Sequence, residues 1–145
     1  MTRSMTTLAA ALAVSALLAA PAGAQSDLTS MLVGRWDGEI ELARGTYPRS
    51  LIVKAVQVVG GKATAEAEYG GSGPDIAGQV PALSPVAPTV EAYGANVILK
   101  FVSPEGFPIQ LSLSPDRRHL YGDLRISIGI GGTRPINPIR LTKVG

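Results

Sequence analysis

The chain has 145 residues, 46% of them hydrophobic and 17% charged, with 13 Lys+Arg against 11 Asp+Glu, one His and no Cys. Without thiols there are no disulfides, Cys-bound metals or Cys nucleophiles, and a single His leaves transition-metal chemistry without a ligand set. A balance this close to neutral argues against nucleic acid or an anionic membrane as the main partner, because either calls for a concentrated basic patch.

Residues 1–24 read as a secretory signal peptide. Arg3 precedes an apolar run over residues 8–20, and Pro21 and the small triplet Ala22-Gly23-Ala24 then lead to a cleavage site before Gln25. The run is well short of the roughly 20 residues that span a bilayer. The expectation is an exported protein, periplasmic or secreted, with one working domain over residues 25–145 and no membrane span after cleavage. Loss of Arg3 leaves twelve basic against eleven acidic residues. A chain of this length buries about two-thirds of the surface it exposes unfolded, enough for one core without staples.

Residues 26–33 offer one helical turn with Ser26 or Asp27 as cap. From there the pattern is β. Over residues 34–42, Gly34, Trp36, Gly38, Ile40 and Leu42 share one face, and Arg35, Asp37, Glu39 and Glu41 share the other. Residues 51–59 and 62–69 flank Gly60-Gly61, the two-residue hairpin signal, which pairs Val59 with Lys62. That register places Ile52, Val56 and Val58 on the face of Ala63, Ala65, Ala67 and Tyr69, and it turns Lys54 inward opposite Ala67. Residues 70–89 hold four prolines, four glycines and little alternation, and read as a long loop, with one short edge strand as the alternative.

Residues 90–93 and 96–102 form a hairpin about Gly94-Ala95, and Ser103-Pro104-Glu105-Gly106 a tight turn. Residues 107–113 and 120–126 pair best with Leu113 opposite Leu120, Leu111 opposite Gly122, Ile109 opposite Leu124 and Phe107 opposite Ile126. One register then satisfies both faces. The run 129–132 breaks the next strand, and residues 138–144 form the last. About eight short strands in successive hairpins predict an all-β, antiparallel up-and-down meander, closed or nearly closed into a small barrel that removes its edges.

The opening Leu32-Val33-Gly34-Arg35-Trp36-Asp37-Gly38, the strand Leu120-Tyr121-Gly122 and the ending Pro138-Ile139-Arg140-Leu141-Thr142 resemble small lipocalin-like (calycin-type) β-barrel modules of secreted bacterial proteins. The resemblance implies structural roles for Gly34, Trp36 and Arg140, with the Arg140 guanidinium packed across the first-strand Trp36 ring. Longer lipocalins carry disulfides and further motifs that this chain lacks, so no ligand specificity transfers.

Site candidates are few. An inward Lys54 and Tyr69 would be the polar anchors of any cavity, and the small Ala65 and Ala67 its open wall; Lys54 at the rim or at a bulge is the alternative. His119 stands in the charged turn 114–119, where a solvated tip outweighs a general base. Ser72 lacks the surroundings of a nucleophile elbow, and the glycines at 129–132 fail the dinucleotide fingerprint. No catalytic residue, metal site or cofactor is expected. Two functions follow as expectations. The first is a non-enzymatic exported barrel binding a small apolar or amphipathic ligand at its mouth. The second is a pocketless module that engages an exported protein or envelope polymer, in an inhibitor-like manner in one version, through the 70–89 loop or a sheet edge.

Overall fold

The computed structural model describes residues 22–75, 78–79 and 82–145. Most of the expected signal peptide, residues 1–21, lies outside that set, as do 76, 77, 80 and 81 of the expected loop. One helix, α1 (Ala22–Leu32), precedes the strands β1 (Gly34–Leu42), β2 (Gly45–Val59) and β3 (Lys62–Gly71). The two-residue strands β4 (Pro74–Asp75) and β5 (Gly78–Gln79) pair only with each other, and β6 (Ser84–Val86) lies along β3. Then come β7 (Thr89–Tyr93), β8 (Asn96–Val102), β9 (Pro108–Leu113), β10 (His119–Ser127) and β11 (Thr133–Lys143).

The predicted antiparallel meander is present. Hydrogen bonds run from β1 through β2, β3, β7, β8, β9, β10 and β11 back to β1, so eight strands make a ring. The registers set two ends. Gly34, Lys143, His119 and the turns 60–61 and 94–95 lie at the lower end, beside α1. The turns 43–44 and 103–106, the tip 128–132 and the chain after β3 lie at the upper end. Alternation buries Trp36 and Ile40 from β1, Leu99 and Phe101 from β8, Ile109 and Leu111 from β9, and Leu120 and Leu124 from β10 in one continuous core.

Three expectations about the strands are corrected. A bulge between Val53 and Ala55 takes Lys54 out of the ladder, so Val53, not Lys54, faces Ala67, and Leu51 and Val53 are buried in place of Ile52. Pairing of β9 with β10 stops at Ile109 opposite Leu124, and Phe107 does not reach Ile126. The helix has eleven residues instead of one turn. Leu28 and Leu32 join the core, the latter fully buried, and their burial holds α1 against the lower end.

Candidate functional site

Where the interior meets α1, Trp36 is fully buried and its indole N–H donates to the Leu32 carbonyl at 2.9 Å. The Lys143 ammonium stands 5.3 Å from the centre of the indole ring. It also reaches the carbonyls of Ser30 and Met31, each at 3.3 Å, in the last turn of α1. One cation thus serves the π face and the negative end of the helix together. Gly34 holds φ +140°, a backbone conformation that side chains disfavour, and it places the start of β1 beside the Lys143 stem. The expected stacking of Arg140 is therefore corrected. Arg140 pairs with Glu39 and Tyr121 on neighbouring strands, and its side chain lies on the outer wall, exposed, because it is one residue out of phase with the buried Ile139 and Leu141.

The residues expected to line a cavity are divided. Tyr69, Ala65 and Ala67 do face the interior, with Tyr69 packed edge-on against Phe101 at 5.3 Å between ring centres. Lys54 points to the outside and pairs with Glu68 at 2.9 Å, and that carboxylate's hydrogen bond and charge raise the ammonium's pKa. The small wall of Ala65 and Ala67 lies opposite Val56 and Val53 in the ladder. Leucines, isoleucines, Trp36, Tyr69 and Phe101 are buried in the same core as this wall, and eight strands are just wide enough for side chains to meet.

At the upper end the sequence reading missed Arg49. It lies on the inward face of β2, is 1% exposed, and donates through Nη1 to the carbonyls of Pro48 and Ser72, each at 2.8 Å. Gly38 and Gly71 flank it on the neighbouring strands. The guanidinium is thereby tied to the chain leaving β3. An Arg in an apolar alternation gives little warning of burial, and the two facing glycines were the available signal. Around the same end Leu42, Tyr47, Phe107 and Ile136 are half-buried against the core.

The outer wall carries a hollow of about 390 Å³ across β9, β10 and β11. It is lined by Gln110, Ser112, Tyr121, Asp123, Arg125 and Arg140, the polar face that the Leu113–Leu120 register assigns to water. Asp123 and Arg125 form an ion pair at 2.6 Å, each three-quarters covered, beside the half-exposed Tyr121 ring. A second outer hollow, about 420 Å³, follows the seam between β3 and β7.

His119 does not assemble a catalytic group. Its Nδ1 lies 3.1 Å from Thr142 Oγ1, but Nε2 is 3.8 Å from Asp116, beyond a hydrogen bond, and both side chains stand in water. The Asp116 carboxylate instead serves its own turn. It accepts from Ser114 Oγ and the Arg118 N–H, which hold its pKa below the usual range. Among the described residues no group of three or more His, Asp or Glu is placed to hold a metal, and no helix is long and apolar enough to cross a membrane. Comparison with protein-family models, with curated proteins and with solved structures finds no match to this chain.

Proposed function

We propose that the protein is an exported, non-enzymatic binding module whose barrel is a solid scaffold and whose partner is met on the outside. The observation that carries this reading is the single continuous core, in which Trp36, Tyr69 and Phe101 are buried together with aliphatic side chains from every long strand and from α1 at the lower end. The hollow on β9–β11 is the favoured contact. An exposed Tyr ring beside the Asp123–Arg125 pair, Gln110 and Ser112 suits a hydroxyl-rich envelope polymer, since rings pack on sugar C–H faces and planar polar groups bridge neighbouring hydroxyls. Kinship with small lipocalin-like barrels belongs to the same reading, supported by the buried Trp36 at the start of β1 and its closure against β11.

A second reading, a small apolar or amphipathic ligand at the mouth, is favoured by the half-buried Leu42, Tyr47, Phe107 and Ile136 at the upper end. Tyr69 would then be its nearest polar anchor. Amide shift mapping separates the two. Soluble envelope-polymer fragments should move Ser112, Tyr121, Gly122 and Arg125, whereas a lipid and aromatic panel should leave Leu42, Tyr47 and Phe107 still. Shifts confined to the upper end would transfer the case to the mouth ligand, and no shift with either set would end both.

A further inference from the structure

The hairpin of β10 and β11 outruns the barrel. Pairing of β10 to β9 ends at Leu124, and pairing of β11 to β1 ends at Ile139, yet β10 and β11 stay paired to Ser127 opposite Thr133. A bulge between Leu124 and Arg125 marks the root, where added twist re-aims the pair. Among the described residues the arm 125–136 therefore has no strand on either side. Its tip is closed by Ile128 N–H to Gly132 O at 3.1 Å and Gly132 N–H to Gly129 O at 3.0 Å.

That tip displays what soluble turns avoid. Ile128 is 59% exposed and Ile130 fully so. Ile130 also holds φ +35°, a left-handed value that costs a β-branched residue energy. Residues 124–138 include four isoleucines and two arginines; Arg125 is paired with Asp123, which leaves Arg134 as the cation the arm presents. Two isoleucines on a convex tip cover far less than the roughly 800 Å² per partner of a stable protein interface. An interfacial lipid layer deforms around a wedge and sets no such minimum.

We propose that the arm 125–136 is a lipid-surface anchor, which seats Ile128 and Ile130 in the interfacial layer of an anionic bilayer with Arg134 beside the headgroups. The attachment is weak and reversible, and it is made by the tip, not by the root, where Arg125 lines the wall hollow. It does not depend on the function proposed above. Flotation with vesicles of phosphatidylglycerol and phosphatidylcholine in equal parts tests it, using the exported chain with its N terminus verified by mass so that no leader contributes. The wild type should float with these vesicles more than with phosphatidylcholine alone, and less as salt rises. Ile130→Asp should lower partitioning about tenfold, and Arg134→Glu should narrow the difference between the two vesicles. Because Ile130 is fully exposed and its left-handed backbone suits Asp better than Ile, Ile130→Asp should melt no lower than the wild type. Ile130→Trp gives a separate readout, an emission that moves to the blue on anionic vesicles over the constant signal of buried Trp36. Unchanged emission, equal flotation of Ile130→Asp, or a photo-crosslinker at position 130 that captures a protein instead of lipid would overturn the proposal.

Discussion

At the scale of single residues, the lower end of the barrel depends on Trp36 and Lys143 acting on the same few atoms of α1. Truncating the buried indole in Trp36→Ala should cost about 3–5 kcal/mol in a urea melt, through lost burial and the cavity left behind. Lys143→Met keeps the stem over Gly34 but removes the charge from both the ring and the helix end, and should cost about 1–2 kcal/mol. Arg140→Met should change stability by less than about 0.5 kcal/mol, since its side chain is on the outer wall. The reverse ranking of the two cations would return the stacking role to Arg140. Asp37 gives a pH-dependent test on the adjoining outer face. Its pKa lies below the ordinary value chiefly because Ser50 Oγ donates to it at 2.7 Å, with Arg35 adding to the effect. A depressed folded-state pKa contributes stability that is complete above the unfolded value near 3.8 and is lost as pH falls through the folded value. Ser50→Ala should therefore raise the Asp37 carboxyl in an NMR titration and flatten the acid limb of the stability curve. An unmoved Asp37 would remove Ser50 as the cause.

At the scale of elements, three glycines let strands approach where side chains would otherwise separate them. A Cβ at Gly38 would run into the Arg140 carbonyl, at Gly71 into that of Pro48, and at Gly122 into that of Gln110, all of them backbone that cannot swing aside. Gly122→Ala should thus cost more than about 2 kcal/mol. Gly94→Ala, at a positive-φ turn with open space around it, should cost only about 1 kcal/mol. Equal penalties in thermal melts would mean that the close approach at Gly122 relaxes freely. The same contrast explains what the sequence made legible. Alternation and two-residue turns gave β1, the Val59–Lys62 register and the Leu113–Leu120 register, because each rests on local chemistry that a period of two reveals. The Lys54 bulge was hidden, since one extra residue inverts every later side chain and leaves no mark on composition. The start of β2 at Gly45 was hidden by Pro48 and the start of β11 by Pro135, since proline interrupts a strand pattern. The polar lining of the wall hollow followed from the register, but its depth did not. Neither the buried Arg49 nor the pairing of Lys143 with Trp36 has a local signature, because both arise from long-range closure.

At the scale of the whole molecule, closure is uneven. The pairing of β2 with β3 runs the whole of β3, from Lys62 to Gly71, and that of β10 with β11 covers nearly all of both strands. The seam of β3 with β7 has only Ala63 opposite Val90 and Thr64 opposite Thr89, extended by Ala65 N–H to Pro88 O at 2.8 Å. Beyond Pro88 the place on β3 passes to the short β6, whose Pro85 has no N–H to give. A ring opens where the fewest bonds must break together, so local opening should begin at this seam, with little loss of core burial. In native-state hydrogen exchange the amides of Thr64, Ala65 and Val90 should exchange well before those of Trp36, Leu51, Leu120 and Leu141, which are held between fully paired strands. A disulfide between cysteines at Thr64 and Thr89, which are ladder partners, should slow seam exchange toward the global rate. Uniform protection around the ring, with no early group at β3 and β7, would show that the eight strands open only as one unit and that the outer hollow along this seam is as rigid as the opposite wall.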